Sequence, residues 1–260
     1  MNELQQQQQQ QQVVTLELIS DTMWPNGYIG KCNIKKAVEL FENQNINENI
    51  RFAIHRVPFF LEPGYMKKPD DFTESHDTRM IRKFGSKEEF ERVKARHGLI
   101  PRGNEAGLNA DNGFTQDNLT KRTQSSTLKS HRLILFVANR FGLVKSEELY
   151  AIFNKKHFTE GGILNDRNLL INSLKEIGLV NEDLNESIAF LDDKNRGTKE
   201  VLMLYDRVQK LGIYSIPTLI VDGSYLINGA ARANEVFECL KKVSESGPTG
   251  KSIFNDIKIV

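Results

Sequence analysis

The first part of the chain alternates between two hydrophobic patterns, one typical of strands and one typical of a helix. Residues 13–19 are mostly apolar and β-branched, as in a buried parallel strand, and residues 50–57 alternate as a second strand that Pro58 stops. Between them, residues 21–30 have the Pro, Gly and Asn content of a loop, and the apolar residues over 34–41 recur at helical spacing. Strand, helix and strand in this order predict a right-handed βαβ unit.

The middle of the chain has a different pattern. From about residue 65 to residue 211 the strongly periodic segments are helical, and strands are hard to find. Residues 98–127 are rich in Gly, Asn, Asp, Ser and Thr, which predicts a long loop. The helices predicted in this part of the chain cover residues 86–97, 133–141, 146–154, 166–177, 181–191 and 198–211.

Strand signals return near the end of the chain. The apolar run 218–221 is followed by Asp222-Gly223, a hairpin turn signal, and residues 225–227 form the return strand. Asn234 is expected to cap a closing helix. The predicted order is therefore β-α-β, a large helical block, and then β-β-α.

Composition and charge exclude several classes of function. The chain has 260 residues, with 35 Lys and Arg against 34 Asp and Glu and a net charge of +1, which argues against a dedicated nucleic-acid or membrane-surface binder. No stretch approaches the ~20 apolar residues that would span a bilayer. The five histidines show no metal-ligand spacing, so no metal site is expected.

The terminal segments carry little pattern. Residues 5–12 are eight glutamines, which cannot bury enough surface to offset their ordering entropy, and we expect them to be disordered. The start of the chain has neither the basic nor the apolar region of a signal peptide, which predicts a reducing, cytoplasmic setting. The residues after Val243 are expected to form a tail that can dock.

Four motifs carry a family resemblance. Residues 20–31, SDTMWPNGYIGK, resemble the Ser-Asp-x-x-Cys-Pro-Trp-Cys-Tyr-Ile-Gly-Lys of the DsbA-like thioredoxin-fold family. Residues 126–133, 157–161 and 212–218 with 228–230 resemble three further motifs of that family, in the same order. The branch that the chain resembles most is the FrnE-like one, which is related to 2-hydroxychromene-2-carboxylate isomerase and the kappa-class glutathione transferases.

The resemblance implies a fold and a division of the chain. The fold is α/β, a thioredoxin fold (β-α-β … β-β-α) with a large all-helical insertion. The expected parts are a disordered Gln-rich tail (1–12), the first part of the thioredoxin fold (13–63), the helical insertion (64–211), the second part of the fold (212–243) and a C-terminal tail (244–260).

The chain departs from the family at the reactive motif. Where the family has Cys-Pro-x-Cys, this sequence has Trp24-Pro25-Asn26-Gly27, so neither an attacking nor a resolving thiol is present. The only cysteines are Cys32 and Cys239, which are either two unpaired residues or a disulfide. We therefore expect weak or absent dithiol–disulfide exchange, and no residue of the degenerate motif is assigned a catalytic role.

The resemblance also implies a binding cleft. Pro217 corresponds to the family's cis-proline, which implies a cis Ile216–Pro217 bond beside the motif. That backbone edge either pairs with a peptide or glutathione or is retained only for the fold. Trp24 is either a stacking surface or a plug. The expected cleft residues are Trp24, Tyr28, Ser215, Ile216 and Pro217.

Three functions stay open on the sequence alone. The first is an oxidoreductase-family protein that has lost dithiol chemistry. The second is a non-catalytic module that binds a peptide or a glutathione-like ligand. The third is a transferase or isomerase that uses the thiol of glutathione, for which Tyr28 and Asn26 are the nearest activating groups. Glutathione is the one small ligand considered, and no other cofactor is expected. His131, in the family's His-Arg motif, is expected to be a structural contact between insertion and core.

Overall fold

The computed structural model describes residues 11–96, 98–254 and 256. In chain order its elements are β1 (Gln12–Ser20), α1 (Pro25–Asn43), β2 (Ile50–Pro58), β3 (Thr73–Ser75), α2 (His76–Phe84), α3 (Lys87–Arg96), α4 (Leu99–Glu105), α5 (Gln116–Lys121), β4 (Thr123–Ser125), α6 (Leu128–Phe141), α7 (Leu143–Thr159), α8 (Arg167–Glu176), α9 (Asn181–Asp192), α10 (Thr198–Lys210), β5 (Thr218–Val221), β6 (Tyr225–Asn228) and α11 (Ala233–Ser246).

The main sheet has four strands in the order β2-β1-β5-β6. Strand β1 pairs with β2 in parallel and with β5 antiparallel, so that Ile19 lies between Val57 and Thr218. Strands β5 and β6 form the predicted hairpin. This arrangement confirms the β-α-β and β-β-α halves of a thioredoxin fold.

Strand β1 is buried because both faces of the sheet are covered. Val14, Leu16 and Leu18 pack with apolar residues of α1 and α11 on one face. Ile19 packs on the other face with α10 and with Phe254 near the end of the chain. A strand buried on both sides favours apolar residues on both faces, which explains why residues 13–19 are mostly apolar.

The insertion is mainly helical but contains strands, contrary to the prediction. Strands β3 and β4 form a short antiparallel pair within it. The predicted loop over 98–127 is also wrong, because it contains α4, α5 and β4. Polar residues that looked like loop composition act as caps: Thr115 accepts a hydrogen bond from the backbone of Asn118, and Asn109 caps a 3-10 turn.

Helix α1 begins earlier than predicted, at Pro25 rather than after residue 30. Proline suits the first turn of a helix, where no hydrogen bond from its nitrogen is needed. Gly27 serves close packing, since a Cβ there would collide with Ser20 Oγ. Pro and Gly therefore do not mark a loop over 21–30.

Helix α11 also starts differently. Its N-cap is Arg232, whose backbone N–H donates to the Glu235 side chain at 3.0 Å, so the prediction that Asn234 caps this helix is wrong. The last turn reaches Ser246, three residues past Val243, the expected last residue of the second part of the fold.

The segment after α11 packs onto the main sheet. Glu17 on β1 is fully buried, and its Oε1 accepts from the backbone N–H groups of Ile253 at 2.9 Å and Phe254 at 3.1 Å. Asp222 accepts from the N–H groups of Thr249 at 2.7 Å and Gly250 at 2.8 Å. The end of the chain thus supplies hydrogen-bond donors to carboxylates of the core.

At the other end, β1 begins at Gln12, so the last glutamine of the tract is a strand residue. Residues 1–10 of the predicted disordered tail lie outside the described residues. None of the helices within the described part of the chain is both long enough and apolar enough to cross a membrane.

Candidate functional site

The Trp24–Gly27 motif lies at the start of α1, beside the cis peptide bond between Ile216 and Pro217. Trp24 is the N-cap residue, in extended conformation and without a side-chain capping bond. Its indole Nε1 donates a hydrogen bond to the Ile216 carbonyl oxygen at 3.0 Å. The indole therefore occupies the backbone acceptor that precedes the cis-proline, as a plug would.

The position of the second family cysteine is filled differently. Gly27 is buried against Ser20 Oγ, and the Tyr150 hydroxyl lies 3.2 Å from where a Cβ on Gly27 would stand. The space that a second side chain of the motif would need is thus taken by two hydroxyl groups.

A pocket of about 290 Å³ lies beside Trp24, between the start of α1 and helices α2 to α5 of the insertion. Eight of its lining residues are apolar or aromatic and three are cationic, and none of the described lining residues is Asp or Glu. The lining consists of Trp24, Pro25, Asn26, His76, Met80, Lys83, Phe84, Phe90, Val93, Leu99, Arg102, Gln116, Leu119 and Arg122.

Arg122 is the deepest cation in this pocket, with 3% of its surface exposed. Its guanidinium donates to the Leu119 carbonyl at 2.8 Å, to His76 Nδ1 at 3.3 Å and to the Met23 carbonyl at 3.5 Å. These partners are all uncharged, and no ion pair among the described residues includes Arg122.

The pKa of Arg122 is affected by its burial among uncharged partners. Burial, with a smaller contribution from Arg79, lowers the pKa of Arg122 to about 9, so the guanidinium is still charged at neutral pH. It also lies over the Phe158 ring, 5.0 Å from the centroid.

The structure brings some of the predicted cleft residues together and separates others. Trp24 contacts Ile216 through the indole hydrogen bond, and Ile216 precedes Pro217 across the cis bond. Tyr28 packs elsewhere: its ring stacks on Phe158 with centroids 5.7 Å apart, and burial raises its pKa to about 12. Ser215 is exposed, and its carbonyl accepts from Thr218 Oγ1 at 2.8 Å.

Sequence reasoning missed the pocket itself. Arg122 lies in the segment predicted to be a loop, and Lys83 lies in a mixed-charge stretch that resembles a solvated helix face. A cation flanked by apolar residues on several short helices has no sequence signature, because the residues meet only in the folded insertion.

Both cysteines are unpaired, so the disulfide alternative is wrong. Cys32 packs beside the cluster around Phe114 and Phe158, and Cys239 packs beside the α1–α11 core. Burial raises the pKa of each thiol, which keeps both protonated at neutral pH and weakens them as nucleophiles.

His131 makes the structural contact that the sequence predicts. It is buried, and its Nε2 lies 3.2 Å from the Phe59 carbonyl oxygen and 3.6 Å from Asp21 Oδ1. The contact joins α6 of the insertion to the loops that follow β1 and β2.

No protein-family model matches the chain, and no curated protein sequence matches it. Among solved structures, a "probable DsbA oxidoreductase" from Streptomyces coelicolor has a TM-score of 0.71 at 22% identity, covering 92% of this chain and 94% of that chain. The isomerase of 2-hydroxychromene-2-carboxylate has a TM-score of 0.60 at 11% identity, covering 92% and 100%. The cytosolic disulfide reductase DsbM from Pseudomonas aeruginosa, with GSH, has a TM-score of 0.52 at 13% identity, covering 89% and 98%. The chain therefore has the thioredoxin fold with a helical insertion that these DsbA-like proteins share.

Proposed function

We propose that this chain is a DsbA-like, FrnE-like protein that binds a small ligand between its thioredoxin core and its insertion and does not exchange disulfides. Residues 24–27 carry no sulfur. Dithiol exchange needs a thiolate to attack and a second thiol to resolve the mixed disulfide. Cys32 and Cys239 do not replace them, because both are partly buried and have raised pKa values. Two unpaired cysteines also suit a reducing compartment, the cytosol.

One observation carries the proposal: the indole of Trp24 donates to the Ile216 carbonyl and also lines the pocket. A peptide that added to the edge beside Pro217 would need that carbonyl as a hydrogen-bond acceptor. With the acceptor occupied by Trp24, the pocket of about 290 Å³ that the same residue lines offers space for a ligand beside the motif. This arrangement favours a small molecule over an extended peptide.

A glutathione-dependent transferase or isomerase is the second candidate. The start of α1 and the Arg122 guanidinium both present positive charge to the pocket, and positive charge stabilises a thiolate. Asn26 lines the pocket and can donate its amide N–H to a thiolate. Tyr28 is a poor activating group, because it packs on Phe158 and its pKa is about 12.

An insulin-reduction assay tests the loss of dithiol chemistry. The wild-type protein is expected to reduce insulin with glutathione no faster than a reaction without protein. The double variant W24C/G27C, checked for folding by circular dichroism, is the matched variant in which both sulfurs return. Wild-type turnover clearly above the protein-free rate would overturn the proposal.

Calorimetric titration with glutathione tests the second candidate. Heat of binding together with conjugation of 1-chloro-2,4-dinitrobenzene would support a transferase. A flat titration would remove this candidate and leave binding of another small molecule.

A further inference from the structure

The pocket beside Trp24 combines an apolar lining with side-chain charges of one sign. Trp24, Phe84 and Phe90 contribute aromatic rings to its lining, and the charged side chains among the described lining residues are all cationic. A ligand with a positive charge would find no carboxylate among the described lining residues. An apolar ligand with a negative charge would match both features.

The guanidinium of Arg122 is the group in the pocket that would bind the negative charge of a ligand. A buried cation without a counter-ion is costly, and folded proteins normally pair such groups. The guanidinium has five N–H donors, and the three neutral contacts to Leu119, His76 and Met23 leave two of them for a further acceptor. Carboxylates are well suited to such a group, because they accept charge-assisted hydrogen bonds from guanidinium in two-pronged geometry.

The size of the pocket limits the ligand. A volume of about 290 Å³ lies at the small end of the roughly 300–1,000 Å³ that is typical of ligand pockets. Two fused rings with one acidic group fit this scale. Glutathione fits the chemistry less well, because its ammonium group and its polar backbone would face apolar walls and three cations.

We propose that this pocket binds a compact apolar carboxylate, with the rings between Trp24, Phe84 and Phe90 and the carboxylate on Arg122. The inference rests on the proposed function, in which a ligand binds in this cleft, and it specifies the ligand class. Lys83 and Arg102, which also line the pocket, add positive potential and favour entry of an anion.

A matched pair of compounds tests the charge requirement. The probes are 2-naphthoate and the neutral 2-naphthylmethanol, which share the ring system. Trp24 is the single tryptophan of the chain and lines the pocket, so its fluorescence reports occupancy directly. Naphthoate is expected to quench it with at least about tenfold higher affinity than naphthylmethanol, since hydrogen bonds to charged groups are stronger than neutral ones.

Variants test the cation. R122M is expected to lower naphthoate affinity about tenfold or more and to leave naphthylmethanol affinity unchanged. If R122M does not fold, K83Q and R102Q are tested instead. Each is expected to lower naphthoate affinity by less than R122M, and the loss of affinity should decrease as the salt concentration is raised. K210Q, at the exposed end of α10, is the control and should bind as wild type does.

The outcomes separate the two proposals. Equal affinity for the two naphthyl compounds, or undiminished naphthoate binding in all three pocket variants, would overturn anion recognition while leaving a ligand-binding cleft. Glutathione binding without naphthoate binding would do the same. If neither naphthyl compound nor glutathione changes the Trp24 signal, the binding cleft itself fails.

Discussion

Two buried arginines of this chain have similar surroundings and different partners. Arg56 on β2 and Arg122 after α5 are 7% and 3% exposed, and each lies over an aromatic ring, Tyr150 at 4.0 Å and Phe158 at 5.0 Å. Arg56 is paired with Glu147 of α7 by two hydrogen bonds, one of them 2.6 Å long, whereas all partners of Arg122 are uncharged.

The difference separates an arginine that the fold pairs with a carboxylate from one that has no carboxylate partner among the described residues. Burial opposes the charge of Arg56, but Glu147 more than compensates and raises the pKa of Arg56, so the pair joins the main sheet to the insertion. Burial lowers the pKa of Arg122, and no carboxylate in the described part of the chain pairs with it. A cation that the fold buries without neutralising is a candidate to meet a ligand's charge.

The largest expected effect comes from breaking the paired site. E147Q leaves Arg56 buried without a counter-ion, and we expect the free energy of unfolding to fall by about 3 kcal/mol or more. E148Q removes an exposed neighbouring carboxylate of α7 and should change it by less than about 0.5 kcal/mol. Urea denaturation followed by circular dichroism measures both. A loss below about 1 kcal/mol in E147Q would contradict the structural role of the pair.

An intermediate effect is expected from pH, through the neighbour of Arg122. His157 is buried, and burial together with the charge of Arg122 lowers its pKa from 6.5 to about 3. In the unfolded chain the His157 ring is therefore protonated below about pH 6.5, whereas in the folded chain it stays neutral until about pH 3. Stability is fully present above pH 6.5 and decreases as the pH falls through this window, by about 2 kcal/mol between pH 7.5 and pH 5.

The variants H157Q and H55Q show how much of the stability lost in acid is due to each histidine, since burial also lowers the pKa of His55. Denaturation curves at pH 7.5 and pH 5 should show a smaller pH effect in H157Q than in wild type. R122M should raise the pKa of His157, which NMR titration of the ring measures. An unchanged pH effect in H157Q would contradict the assignment.

The smallest effect is expected at Trp24. A substitution there distinguishes the contribution of the aromatic lining to ligand binding from that of Arg122. W24F removes the indole N–H bond to Ile216 and should cost about 1 kcal/mol of unfolding free energy. Calorimetry should find naphthoate affinity within about threefold of wild type, because the aromatic wall and Arg122 both remain. Complete loss of binding would mean that the indole, and not Arg122, selects the ligand.

Much of the core was predictable from sequence, because its elements have strong patterns. The strand over 13–19, the hairpin at Asp222-Gly223 and the helix over 198–211 all appear in the structure within one or two residues. The absence of cysteines at 24 and 27 and the cis Ile216–Pro217 bond also followed from the motifs.

The insertion was predictable only in outline. Helices α4 and α5 have seven and six residues, too few for an apolar face to repeat, and their polar caps resemble loop residues. Arg122 follows α5 directly and becomes a pocket residue only when four short helices and the start of α1 meet around it. The Trp24 bond to Ile216 joins residues 192 positions apart, which no local pattern shows.

The buried Glu17 side chain accepts hydrogen bonds from a segment that the ribosome makes much later than β1. Its donors in the segment after α11 lie 236 residues further along the chain, at Ile253. At about 5–20 residues per second, a ribosome needs roughly 10–50 s to deliver them after Glu17 has been added. During that interval the Glu17 side chain lacks the backbone donors that it has in the folded protein. Strand β1 therefore gains these hydrogen bonds only after the segment beyond α11 has been made.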